Sequence, residues 1–377
     1  MRLPVRVWVW VAATVALLVV AALLWQGSDA AATESTTAAP ADVPAGTPAG
    51  AVSEAWSADG GTIPEAVVED GRVLVGSAHG IRALDPLTGE EAWHYTRTNA
   101  RMCGLTVTDG VAVAVFATAD RCDEAVALDA GTGVRRWTRS LSLAGDAVLD
   151  STAAIVLASS PTGLVTLDPT GNNVRWRYAA PDGCRLLAAD AGSTGVAVLQ
   201  RCTGTTDLQV RLLDGFAGTA HWSRSLPVAE GTDVRLLGAD DAVTVLVGDE
   251  VQTLAGTDGS LLSGLPVAAG AEVEQATVGS VSLVRVDGTV SAVDALSGTA
   301  LWEATATGLS AASGAVEDPD APALLVLPDG DGFSVRDPTT GAELDRFAVN
   351  GLPDGGAASV IGPVAVLRLD DQVLGYR

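Results

Sequence analysis

A chain of 377 residues is too long for one ordinary compact domain of roughly 100–200 residues and suits either two domains or one large repeat architecture. With 48% apolar and 18% charged residues it is too hydrophobic for a disordered chain, so a large core must form. The 22 basic residues, all of them arginine, stand against 46 acidic ones and leave a net charge of −24, which repels phosphate and argues against nucleic-acid binding and against docking on anionic lipid.

From Val7 to Trp25 the chain carries no charge, a run long enough to cross a hydrocarbon core of about 30 Å as a helix. Arg2 and Arg6 precede it, whereas the segment after it holds Asp29, Glu34 and Asp42 and no arginine before the fold begins. The positive-inside rule therefore leaves residues 1–6 as a cytoplasmic stub, 7–25 as a transmembrane helix, and the remainder outside the cell membrane. Trp8, Trp10 and Trp25 lie near the ends of the span, where indole rings favour the headgroup region. The alternative is a signal peptide cleaved near Ser28-Asp29-Ala30, followed by secretion. Either way the rest is exported. The first cysteine, Cys103, comes too late for a lipid anchor. Residues 26–52, rich in Ala, Thr, Pro, Ser and Gly without periodicity, read as a flexible linker, and residues 53–377 as the folded domain.

That domain is repetitive. Five tryptophans follow an aspartate by eight residues in similar surroundings: Asp85 and Trp93, Asp129 and Trp137, Asp168 and Trp176, Asp214 and Trp222, Asp294 and Trp302. Two weaker copies put Ala255 in the aspartate slot with Ser263 in the tryptophan slot, and Asp337 with Asp345. The period is about 42 residues. Each unit holds short apolar runs separated by turn residues, and the Asp-x-x-Thr/Ser-Gly stretch is itself a turn, its carboxylate capping the turn's amides and its glycine taking a positive φ. Four short strands per unit, repeated around a ring, are the signature of a β-propeller. Continuing the period beyond Asp337 places Arg377 in the next aspartate slot. The outer strand missing there is supplied by orphan Trp56, so seven complete units and one shared between the two ends make eight blades; seven is the alternative if a degenerate unit is not a blade.

The pattern Ala-Leu-Asp-x-x-Thr-Gly-x-x-x-Trp resembles the tryptophan-docking repeat of the quinoprotein-like (PQQ-like) propellers, the family of quinoprotein alcohol dehydrogenases and of BamB-type outer-membrane assembly lipoproteins. The resemblance implies a propeller of the quinoprotein type, which with the apolar run and the blade count read above makes the expected protein an all-β, eight-bladed propeller after one N-terminal transmembrane helix. It also implies that Trp56, Trp93, Trp137, Trp176, Trp222 and Trp302 pack against the neighbouring blade, with weaker seams at Ser263 and Asp345.

Little else offers chemistry. The quinoprotein enzymes place a disulfide between adjacent cysteines beside the quinone, and no two cysteines here are adjacent, so no cofactor is expected. Cys103 and Cys122, and Cys184 and Cys202, each flank one predicted hairpin, which in an exported domain reads as two local disulfides rather than a zinc site. Asp329-Gly-Asp331-Gly332 resembles part of a calcium loop but lies between two strand-like runs and reads as a hairpin turn. His79, His94 and His221 are dispersed over different units. No catalytic, cofactor or metal residue is assigned. The expectation is a monomeric, non-catalytic scaffold for envelope proteins or glycans; the competing class is a PQQ-dependent or other cofactor-using oxidoreductase with its site at the propeller axis.

Overall fold

The computed structural model describes residues 5–61, 63–118, 121–143, 147–204, 207–229, 231–311 and 324–377. Of the expected stub at residues 1–6, residues 1–4 lie outside the described residues and residues 5 and 6 already belong to the helix. Val5–Gln26 forms a helix of 22 residues, long and apolar enough to cross a membrane. Beyond it the described strands assemble into eight sheets, and the protein is an eight-bladed all-β propeller.

In the first blade the strands Val68–Glu69, Arg72–Ser77, Gly80–Leu84 and Glu91–Arg97 run in order from the axis outwards. The second to sixth blades occupy 101–140, 148–179, 184–226, 234–266 and 273–305; the described strands of the seventh are Leu325–Pro328, Gly332–Arg336 and Glu343–Ala348, and the inner segment Leu309–Ser310 before them pairs parallel with Ala357–Ala358 of the eighth. The eighth combines Ala357–Ile361, Val364–Arg368 and Gln372–Tyr376 with an outer strand from the other end of the sequence, Glu54–Asp59, paired antiparallel to Gln372–Tyr376. The ring is thus closed by hydrogen bonds between sequence-distant strands, as the orphan Trp56 required.

The burial pattern explains the composition. Second strands such as Val156–Ser160 are buried at every position because blades cover both of their faces, so they read as continuous apolar runs. Outer strands such as Glu91–Arg97 alternate, since one face packs on the next blade and the other meets water. Antiparallel order also gives the ring two distinct faces. One carries the aspartate turns between third and outer strands and the turns between inner and second strands; we call it the aspartate-turn face. The other carries the links between blades, and is called the connection face.

At the aspartate turns Asp85 Oδ1 accepts from the amides of Leu87 (2.8 Å) and Thr88 (3.1 Å), and the Gly89 amide donates to the Asp85 carbonyl at 2.8 Å. Gly89 sits at φ +70°, and a Cβ added there would lie 2.6 Å from the Trp56 indole. Each Trp Nε1 donates to a backbone carbonyl one residue past the aspartate slot of the next blade: Trp56 to Pro86, Trp93 to Ala130, Trp137 to Pro169, Trp176 to Gly215, Trp222 to Gly256 and Trp302 to Pro338, over 2.7–3.0 Å.

The two degenerate slots keep the register. Ser263 pairs with Thr253 and Asp345 with Val335, as Trp93 pairs with Ala83. Beside Ser263 the next blade's Gly298 rests on Leu262. Beside Asp345 the reason for losing the indole is topological: the eighth blade takes its outer strand from residues 54–59, so no aspartate turn joins its third strand to its fourth, and an indole there would find no turn carbonyl.

The expectation of a flexible linker at residues 26–52 is corrected. Asp29–Ala32 is one helical turn, and Thr33–Ser35 adds a fifth strand to the first blade, pairing Thr33 with Arg97 and Ser35 with Tyr95. The Ala38 amide then donates to the Thr132 carbonyl, Arg72 Nη2 donates to the Ala39 carbonyl, and Pro44 lies against Gly362 of the eighth blade. A segment without hydrophobic periodicity is ordered here through backbone hydrogen bonds to an open sheet edge, a signal that side-chain patterning does not carry.

Both expected disulfides are present, Cys103–Cys122 and Cys184–Cys202. They join strands rather than flanking loops: Cys184 and Cys202 are direct cross-strand partners in the fourth blade, and Cys103 sits at a bulge of the second blade's inner strand while Cys122 lies in its third strand. Asp329 and Gly332 close a hairpin turn, the Asp329 amide donating to the Gly332 carbonyl at 3.0 Å.

Candidate functional site at the propeller axis

The inner strands of neighbouring blades approach one another around the axis and enclose a cavity of about 970 Å³ to which all eight blades contribute. Its lining contains eight carboxyl side chains and one arginine. Four of the carboxyl groups interact with one another: Glu65 before the first blade's inner strand, Asp150 at the end of Val148–Ser151, Asp190 within Cys184–Gly192, and Asp240 in the turn before Ala242–Val247. Arg368, at the end of the eighth blade's second strand, faces Glu65, and its Nε finds no hydrogen-bond partner among the described residues.

Asp150 and Asp190 are hydrogen-bonded to each other. Asp150 also accepts from the amides of Ser151, at 2.6 Å, and Ala191. These amides hold Asp150 as the charged acceptor, and Asp190 is the partner that keeps the proton. Its carboxyl is pushed well above the usual carboxylate range by burial first and then by the charge of Asp150, with Glu65 and Asp240 adding to it. Burial likewise raises Asp150 despite its hydrogen bonds. Glu65 is raised by burial and by Asp150, with Arg368 opposing; Asp240 is raised by burial although the Ser193 amide and Thr277 donate to it. Chemically the cavity attracts cations and repels anions, and burial favours the neutral forms of its carboxyl groups.

The residues singled out in the sequence lie elsewhere. The six tryptophans, the two disulfides and Asp85, Asp129, Asp168, Asp294 and Asp337 sit in the seams, strands and turns, and only Asp214 reaches the cavity lining. His94 pairs with Glu91, and His221 lies 3.6 Å from Asp214, on separate blades. Among the described residues no group of three His, Cys, Asp or Glu side chains is placed to hold a metal ion. The axial carboxylates escaped the sequence reading because their distance from the repeat aspartate changes from blade to blade with the inner hairpin. The one available signal was an acidic residue near the inner hairpin of four blades, at Asp109, Asp150, Asp190 and Asp240, and it resembles ordinary turn chemistry.

The quinone cofactor of this fold's enzymes does not fit these residues. A tricarboxylate would face eight carboxyl groups and one guanidinium, and neither disulfide joins adjacent cysteines.

A second cavity, of about 560 Å³, lies at the fifth blade between the links that enter and leave it, and its lining includes Val228, Leu246 and Val267.

Compared with known proteins, the sequence matches the family described as outer membrane protein assembly factor BamB over residues 22–187 and 206–370. No curated protein matches it. Among solved structures it is similar to BamB from Moraxella catarrhalis, at 17% identity and TM-score 0.50 over 86% of this chain and 99% of that one. The computationally designed Ika8 protein gives 16% identity and TM-score 0.55 over 89% and 99%. The quinohemoprotein alcohol dehydrogenase ADHIIG from Pseudomonas putida HK5 gives 12% and 0.50 over 90% and 78%. Identities this low speak for the shared fold alone.

Proposed function

The chain belongs to the family of the outer membrane protein assembly factor BamB, and from that premise we propose that it is a membrane-tethered, extracytoplasmic binding scaffold without catalysis, whose axial cavity receives a positively charged partner segment. The observation that carries this reading is the cavity itself: a roomy axial space with eight carboxyl groups against one arginine complements a cationic chain and opposes anionic ligands. The family's description as an assembly factor supports protein binding, and the apolar helix Val5–Gln26 supports a single-pass anchor with the N-terminus in the cytoplasm.

The test is calorimetric titration of the purified protein with a short arginine- and lysine-rich peptide and with its glutamate-rich counterpart. Saturable binding of the basic peptide only, weakening as salt rises and lost in the Asp150→Asn, Asp240→Asn double variant, is the expected result. Equal binding of both peptides, or none, removes the cationic-partner reading. The second reading, an oxidoreductase, has the proton-sharing Asp150–Asp190 pair in its favour as an acid–base group. Stoichiometric quinone uptake with dye-linked alcohol oxidation would establish it over the scaffold.

A further inference from the structure

Where the membrane lies relative to the propeller follows from the segment between helix and first blade. Gln26 ends the helix, and Asp29 is already held by the ring: its Oδ1 is 3.0 Å from Arg97 Nη2 and accepts from Asn99 Nδ2 at 2.7 Å. Arg97 is a firm anchor, since its side chain is only 2% exposed and its Nη1 also donates to Glu124. Beyond it the Thr98 amide donates to the Ala32 carbonyl at 2.9 Å, and Thr33–Ser35 continues the first blade's sheet. Only Gly27 and Ser28 are left to join a membrane helix to a fixed point on the ring, and three Cα steps reach at most about 11 Å.

That fixed point has a definite face. Arg97, Thr98 and Asn99 stand at the connection face, between the first blade's outer strand and the second blade's inner strand. The aspartate turn of the same blade, at Asp85 to Glu90, lies at the other end of the outer strand Glu91–Arg97, more than about 20 Å away at 3.3 Å per residue. A two-residue link cannot cover that distance. The aspartate-turn face also carries Asp109, Ser151 to Ile155, Ser193 to Gly195 and Asp240, the end of the axial cavity where its carboxylates concentrate.

We propose that the strap formed by residues 29–38 fixes the propeller's orientation on its own bilayer, with the connection face of the first blade against the membrane surface and the acidic mouth of the axial cavity directed away from it. This rests on the anchor reading above and adds the face at which a partner must approach: partners reach the cavity from the side away from the anchoring membrane. The orientation is imposed by covalent reach and backbone pairing, so it needs no attraction between this acidic ring and lipid.

The experiment uses the full chain in phosphatidylcholine vesicles that contain a headgroup-nitroxide lipid. Thr98→Cys, Glu90→Cys and Leu296→Cys, each at an exposed residue, are labelled with a thiol-reactive fluorophore, the native cysteines being disulfide-bonded. Quenching at position 98 should exceed that at 90 and 296 several-fold. An insert of about thirty Gly and Ser residues between Ser28 and Asp29 should bring position 98 down to the level of the others. Equal quenching at 98 and 90, or quenching at 98 that survives the insert, overturns the orientation. The intact mass of protein extracted from its native membrane separates this from failure of the anchor: loss of the residues up to about Ser28 overturns the anchor reading, whereas full-length mass with equal quenching overturns the orientation alone.

Discussion

Aspartates at the rim and aspartates at the axis have the same side chain and opposite chemistry. At the rim Asp129, Asp168, Asp294 and Asp337 sit in exposed or half-exposed turns. Donors lower their pKa: for Asp129 they outweigh burial, the Arg136 guanidinium first and then Thr132, and for the others they are turn amides and hydroxyls. At the axis Asp150, Asp190 and Asp240 are pushed up by burial, and Asp190 and Asp240 further by the charge of Asp150. Turn aspartates recur because each performs the same local task in its own blade. The axial ones meet only because eight blades close on a common centre. The repeat therefore builds the ring, and departures from the repeat equip its centre.

The contrast is broken most severely by opening the ring. Deleting Gln372 to Arg377 removes the strand that pairs with Glu54–Asp59 and leaves two unpaired edges. Thermal unfolding of the truncated protein should lose its cooperative transition or most of its midpoint, and a truncation that melts like the parent would contradict closure through this strand.

Among the seams, Trp93→Ala should cost about 3–5 kcal/mol, because the indole is fully buried, donates to the Ala130 carbonyl and covers Gly133. Trp302→Ala, at a partly exposed indole that keeps the equivalent bond to Pro338, should cost less. Denaturant midpoints of the two variants measure the difference; equal losses would show that burial is not what ranks the seams.

Removing the Cys103–Cys122 bridge by a double Ser substitution opens a loop of sequence separation 19 and should cost about 3 kcal/mol in the chain-entropy picture. The Cys184–Cys202 pair, with separation 18, should cost a similar amount. Differential scanning calorimetry of both variants checks this, and a silent loss at either pair would count against the entropic account.

The smallest effect carries the sharpest comparison, since its sign differs between the two regions. Asp190 has a folded pKa above its unfolded value, so its stabilising contribution is full below pH ~4 and is lost as pH rises through the raised value. Asp129 has a depressed folded pKa, so its contribution is full above pH ~4 and is lost as pH falls. Asp190→Asn should thus raise the melting temperature relative to the parent at neutral pH and lose that advantage in acid. Asp129→Asn should lower it at neutral pH and converge on the parent in acid. Parallel pH profiles for the two variants would erase the distinction between rim and axis.

Much of the fold was legible because its signals are short-range. Eight residues from Asp85 to Trp93 encode a turn and the start of an outer strand, and repetition of that spacing gives the blade count. Trp56, with no aspartate before it, already required a blade built from both ends. Paired cysteines 18 and 19 residues apart pointed to local bridges for the same reason. The strap was misread because its ordering depends on amides and carbonyls of Thr33 to Ala39, which every residue type offers, meeting an edge that only the folded first blade presents.

The sequence by itself determined the apolar helix, the repeat and the way the two ends close into one blade, and narrowed the blade count to eight or seven, since each follows from spacing along the chain. The tertiary structure alone decided the carboxyl cluster. Asp150 and the Ala191 amide that it accepts from are 41 residues apart, on the inner strands of successive blades, so they become neighbours, and the Asp190 carboxyl is pushed up by burial and by the charge of Asp150, only once those strands are drawn together around the axis.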